Sequence, residues 1–167
     1  IAAWVADMDF LSPREVLDAV QQRLCGAALG YSDPPDELIS VLVDRMQRLY
    51  GWRVEPSWFV MLPGVVPGLF GAVRATGKTG DSVITQSPNY HYLFGAAELS
   101  GRELARLETH LVDGRWALNV DHLRTLAAQG ASSLLLCNPH NPVGRILSRD
   151  ELEAVAAICL QNKIMIC

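Results

Sequence analysis

The chain has 167 residues, 50% of them hydrophobic and 19% charged, with 13 Gly and 9 Pro; this is an ordinary globular composition, neither disordered nor fibrous, with enough apolar residues for one sizeable core. A formal net charge of −4 leaves no basic footprint for nucleic acid or an anionic membrane surface. No run approaches the ~18 consecutive apolar residues of a membrane-spanning helix, and no basic stretch followed by an apolar run opens the chain, so neither a membrane anchor nor a signal peptide is expected.

Taken in chain order, Ser12-Pro13-Arg14-Glu15 reads as a capping box with Pro at the first helical position, opening a helix to about Cys25 that Gly26 closes. A second helix is expected over 35–50, with Leu38, Val41, Leu42 and Leu49 at helical spacing and Gly51 ending it. Trp58 to Leu62 reads as a short strand running into the loop Pro63-Gly64-Val65-Val66-Pro67-Gly68, followed by a helix to about Ala75. Gly80-Asp81 is a turn, Ser82 to Gln86 a strand, Tyr90 to Leu99 a helix and Glu103 to Leu107 a strand. Asp121 is expected to cap a helix to about Gln129. Ser133 to Cys137 is apolar enough to be a strand buried on both faces. Ser148-Arg149-Asp150-Glu151 is a second capping box, opening a helix to about Gln161, and Lys163 to Cys167 is the last strand. The chain starts at Ile1 and stops inside this apolar run, so we expect a fragment of a longer protein.

Strands separated by helices of this length imply βαβ crossovers and a mostly parallel sheet. Ligands in such sheets bind beyond the carboxyl ends of the strands. That directs attention to the loops after Leu62, Gln86 and Cys137. The first, 63–68, offers small residues and a helix N-terminus, a combination that accepts phosphate; it is equally readable as a plain strand-to-helix turn. It lacks the glycine spacing of a dinucleotide fingerprint. The second places Tyr90 and Tyr92 where an aromatic could stack on a flat ring, or simply pack beneath a helix, and His91 is expected to be solvated. The third, Asn138-Pro139-His140-Asn141-Pro142-Val143-Gly144, is the most distinctive. Two Asn-Pro units force extended backbone and put two amides at the sheet's mouth, able to donate to an anionic ring oxygen. Cys25, Cys137, Cys159 and Cys167 form no CxxC pair, which argues against a zinc or redox site; no metal is expected. Three stand in apolar runs, and all four are expected to be reduced core thiols of a cytoplasmic protein.

Together these segments resemble a known family. The run NPHNPVGR at 138–145 is similar to the NPxNPxG loop of fold-type I aminotransferases dependent on pyridoxal 5′-phosphate (PLP). WVADMDF at 4–10, GYS at 30–32, PGVVPGL at 63–69 and the SPxY segment at 87–90 resemble the cystathionine β-lyase (MalY/PatB) branch, in that branch's order. The resemblance implies a three-layer α/β/α transferase fold with a mostly parallel sheet. Residues 1–51 would be an N-terminal segment belonging to the small domain, and 52–167 the first half of the large PLP-binding domain. It implies that Gly64, Val65 and Val66 hold the cofactor phosphate through their backbone, that Tyr90 stacks on the pyridine ring and that Asn141 bonds its 3′ oxygen. It implies too that Tyr31 reaches the phosphate in the other subunit of a homodimer, and that Ala6 and Asp7 border the carboxylate of an amino-acid substrate. The family's PLP-binding lysine, its aspartate and its carboxylate-binding arginine would lie beyond residue 167. Lys78 and Lys163 stand in other contexts, so no catalytic residue is expected here. The implied activity of the whole protein is β-elimination of a thiol from an amino acid, giving pyruvate and ammonia. A transaminase and a non-catalytic effector-binding domain are the alternatives, and a truncated product without function is a third.

Overall fold

A computed structural model describes residues 6–26, 28, 30, 31 and 33–167. Trp4, Val5 and Ser32 of the quoted runs lie outside the described residues. The chain divides into two compact units, Ile1–Met61 and Leu62–Cys167.

The first unit holds two helices, α1 (Arg14–Leu24) and α2 (Asp36–Tyr50). α2 ends as expected on Gly51, at φ 62, whose N–H bonds the Gln47 carbonyl. The capping box at 12–15 does not form. Pro13 is itself the N-cap, its carbonyl accepting from Val16 and Leu17, so Ser12 lies one position too early to reach the first turn. The expected strand over 58–62 is also absent. Pro56–Trp58 make a single 3-10 turn, and Trp58, Val60, Met61 and Leu62 are exposed. The segment is apolar enough for a strand, but no strand among the described residues pairs with it, and unpaired backbone gains nothing by extending. Trp52, Trp58 and Phe59 gather with Met46 and Val54 around a cavity of about 100 Å³.

The second unit is a three-layer sandwich. Its sheet comprises β1 (Ser82–Ser87), β2 (Glu103–Val112), β3 (Arg115–Leu118), β4 (Ser133–Leu135) and β5 (Met165–Ile166) in the order β3-β2-β1-β4-β5. All neighbours are parallel except the β2–β3 pair. Alternate residues of the central strands feed opposite faces. Ile84 and Leu134 join Leu123 and Ala127 of α5 (Val120–Ala128) and Val155, Ile158 and Cys159 of α6 (Arg149–Gln161). Val83 and Leu135 join Val73 of α3 (Val65–Ala75) and Leu93, Ala96 and Ala97 of α4 (His91–Glu98). Covered on both sides, β4 is buried at every position, as its unbroken apolarity implied.

Three local expectations change and one holds. β2 runs on to Val112 and turns back into β3 through Asp113 (φ 50) and Gly114 (φ 75), the left-handed pair of a tight hairpin. α5 is capped by Asn119, whose side chain accepts from the His122 N–H at 2.9 Å; Asp121 falls inside the first turn and pairs with Arg124 at 2.7 Å. The capping box at 148–151 forms as read, with both reciprocal bonds. All four cysteines are free, but only Cys159 is in the core. Cys25 lies on a helical segment that buries nothing, Cys167 is exposed beside β5, and Cys137 is half-buried at the sheet's mouth.

Candidate functional site

β1 and β4 pair only as far as Thr85 and Leu135. Beyond that the two strands are joined by side chains. Gln86, fully buried, accepts from the Cys137 N–H at 2.7 Å and donates to the Cys137 carbonyl at 3.3 Å, so its amide continues the ladder in place of backbone. This is why β4 stops short of Cys137. Thr85 donates to the Leu135 carbonyl at 3.1 Å and accepts from the Asn89 amide at 3.2 Å, while Asn89 Oδ1 accepts from the Tyr90 N–H at 2.8 Å. These bonds set where α4 begins and where Tyr90 stands.

The loop after β4 is held in the same way. Asn138 Oδ1 accepts from the Leu147 N–H at 3.1 Å. His140 and Arg145 bridge across the turn, with the His140 N–H donating to the Arg145 carbonyl and the Gly144 N–H to the His140 carbonyl, both at 2.7 Å. Arg145 makes two 2.8 Å bonds to Glu151, which belongs to the capping box of α6. The His140 ring is 3% exposed, with Nε2 2.8 Å from the Pro88 carbonyl. That oxygen can only accept, so Nε2 carries the proton. Burial, and then Arg145, lower its pKa while the Pro88 carbonyl raises it; the net direction is down, and the ring is neutral at pH 7.

Between these loops lies a cavity of about 580 Å³, within the ordinary range for small-molecule sites. Gly64, Val65 and Val66 line one part of it, Tyr90 and Leu93 another, and Cys137, Asn138 and Asn141 a third. Gly64 has φ 156 and ψ 170, backbone that is essentially reserved for glycine, and it caps α3. The first helical bond there runs from the Gly68 N–H to the Gly64 carbonyl, leaving the N–H groups of Val65 and Val66 for a ligand; Pro67 has none to leave. Tyr90 rests on the core cluster behind it and meets Tyr92 edge-on, ring centroids 5.3 Å apart; His91 is exposed beside them. The two asparagines of the loop differ. The Asn138 side chain is spent on Leu147, whereas that of Asn141 has no hydrogen-bond partner among the described residues. No lining residue is charged, so the cavity can orient and shield a ligand but supplies no acid, base or counter-ion of its own.

Five of the eight singled-out residues thus share one cavity. Tyr31, fully exposed, and Ala6 and Asp7, also exposed, belong to the first unit. Thr85, Gln86, Asn89 and His140 shape the site through bonds that no sequence motif marks. The one local signal was polar residues closing an otherwise apolar strand and occupying the Asn-Pro loop. Among the described residues, no group of three or more His, Cys, Asp or Glu could hold a metal ion, and no helix is long and apolar enough to cross a membrane.

The model of the aminotransferase class I and II family matches residues 5–167. The chain is 35% identical over 98% of its length to cystathionine beta-lyase PatB of Bacillus subtilis, and 31% identical over 92% to cystathionine beta-lyase of Corynebacterium glutamicum. It superposes with a TM-score of 0.85, at 34% identity over 97% of its length, on cystalysin from Treponema denticola, a structure that contains a pyridoxal 5′-phosphate cofactor. It spans 42%, 41% and 41% of these three proteins respectively. The fold of the second unit is accordingly the aminotransferase type, with its sheet represented in part.

Proposed function

Because the chain belongs to the aminotransferase class I and II family, we propose that the whole protein is a PLP-dependent carbon–sulfur β-lyase, cleaving a thiol from an amino acid with release of pyruvate and ammonia. The observation that carries the reading is the convergence of a helix N-terminus, an aromatic ring and an uncommitted amide on one uncharged cavity. Those groups fit PLP. Backbone N–H groups of Val65 and Val66 would take its phosphate at the α3 N-terminus, where Gly64 lets the chain turn closely. Tyr90 would lie on the ring's face, and the Asn141 amide would donate to the 3′ oxygen. PLP when bound supplies the electron sink for amino-acid chemistry. The residues of this chain orient it, keep water from one face and stabilise the anionic ring oxygen.

The covalent lysine, the charged partners and the substrate's carboxylate anchor are assigned to sequence beyond residue 167, with Ala6 and Asp7 bordering that carboxylate. Residues 52–167 are then the first half of a large PLP domain and 1–51 part of a small one. We further assign a cytoplasmic homodimer in which Tyr31, fully exposed on its own subunit, serves the phosphate of the other. A transaminase is the second reading, favoured by the description of the family itself.

L-Cystathionine given to the full-length protein with PLP decides between the two. Stoichiometric thiol and pyruvate are expected; transfer of the amino group to a keto acid without thiol release would sink the lyase. Asn141→Ala is expected to raise the pH midpoint of the bound cofactor's absorbance change, because the lost amide favours the deprotonated form. An unchanged midpoint removes Asn141 from the site. Mixing Tyr31→Phe subunits with subunits lacking the lysine should recover activity, since one site of each hybrid carries neither defect. Hybrid dimers without activity would refute the shared site.

A further inference from the structure

We propose that Gln86 and His140 form a reciprocal cross-brace that positions Tyr90 and Asn141 against the ligand; this rests on the cavity being the PLP site. Each side chain leaves its own loop and bonds the main chain of the other. Gln86, at the end of β1, takes both the N–H and the carbonyl of Cys137. His140, after β4, donates from Nε2 to the carbonyl of Pro88 at 2.8 Å. Tyr90 follows Pro88 by two residues and Asn141 follows His140 directly, so neither has slack to move independently of its tie.

The backbone cannot do this by itself, because the β1–β4 ladder ends at Leu135. Both side chains are polar and almost wholly buried, Gln86 at 0% and His140 at 3% exposure. Polar burial is costly unless every group is paired, and here each side chain also pairs main-chain groups of the other loop that an apolar residue would leave without that partner. What the polar pair adds is a defined spacing between the loops. His140 is held from behind as well. Its own N–H and carbonyl are taken by Arg145 and Gly144, and Arg145 is clamped by Glu151 at the start of α6. The brace therefore runs from α6 through the Asn-Pro loop to the turn that launches α4. The bond to the Pro88 carbonyl requires a proton on Nε2.

Neither residue reaches the cavity lining, so both are positioning residues and their effect should pass through Tyr90 and Asn141. The test uses the full-length protein. His140→Leu removes the donor; His140→Gln keeps an N–H at similar reach. PLP affinity, the pH midpoint of the cofactor's absorbance and amide exchange of the cofactor-free protein are measured. For His140→Leu we expect PLP binding weaker by about tenfold, the midpoint raised in the same direction as in Asn141→Ala, and faster exchange over residues 89–93. His140→Gln and wild type should coincide. In the Asn141→Ala background, His140→Leu should produce no further shift of the midpoint. A His140→Leu protein with a lower melting temperature but wild-type midpoint and affinity overturns the proposal, as does a full additional shift in the double variant. A wild type that takes up no PLP overturns the cavity's reading and the cofactor role of the brace together. The brace is then judged by exchange alone, and unchanged exchange over 89–93 in His140→Leu refutes it.

Discussion

The two units carry the same kind of helix with opposite outcomes. On α1, Val16, Leu17, Val20 and Leu24 recur at helical spacing, and each is more than half exposed, at 53–54%. On the shorter α5, Leu123 and Ala127 are buried against the sheet, at 0% and 2%. Every buried residue among those described lies between Val73 and Ile164. An apolar stripe thus states which face of a helix needs cover; whether cover is present is a property of the partner surface. A Leu fully withdrawn from water gains about 1.5–3 kcal/mol, so the four half-exposed residues of α1 together forgo a gain of the same order as the one α5 secures.

The sharpest way to break this contrast is to truncate one leucine in each unit. Leu134→Ala, in the fully buried centre of the sheet, is expected to cost about 3 kcal/mol in urea unfolding of this chain. Leu17→Ala should stay within about 0.5 kcal/mol. Comparable losses would mean that α1 is covered after all.

Charged groups give a smaller version of the comparison. Arg102 is buried, donating to the carbonyls of Val73 at 2.7 Å and Asp81 at 3.1 Å and to the Ser132 hydroxyl. Its guanidinium also excludes any side chain at Gly77, where a Cβ would collide with it. Arg102→Leu leaves those acceptors unpaired and should cost about 2 kcal/mol. The Arg14–Asp18 pair, 3.6 Å apart on the open surface of α1, should yield no measurable change when Arg14 is replaced by Ala. A sizeable Arg14 effect would erase the distinction.

The smallest expected effect is a pH dependence confined to the second unit. Burial raises the Glu151 pKa, but the bonds from Arg145 and Ser148 outweigh it and hold the carboxyl below its ordinary value. A depressed folded pKa contributes stability above the unfolded value, and that stability is lost as pH falls through the folded one. Glu151→Gln should therefore unfold more easily than wild type at neutral pH, and the difference should shrink in acid below the ordinary carboxylate range. A constant difference across that window would assign Glu151 a packing role alone.

Much of this protein was legible in its sequence, wherever the signal lay within a few residues. Ser148 and Glu151 announce a helix start three residues apart, Gly51 a helix end, and the apolar run at 133–135 a strand covered on both faces. The hairpin at Asp113-Gly114 is equally local, two left-handed residues between paired strands, and its Asp-Gly signal stands in the sequence. The strand expected at 58–62 failed for the opposite reason, since a strand exists only with a neighbour to pair with, and apolarity does not supply one. The alternation of helices and strands by itself determined a parallel α/β sheet and pointed to the loops at its carboxyl edge. Only the tertiary structure decided that Gln86 would stand in for backbone 51 residues away, that His140 would tie a loop 52 residues distant, and that Asn138 would be consumed internally while Asn141 faced the cavity uncommitted. Capping and periodicity act between residues a turn or two apart, whereas these bonds form only after β1 and β4 lie side by side, and no local pattern encodes a partner that folding has yet to bring near.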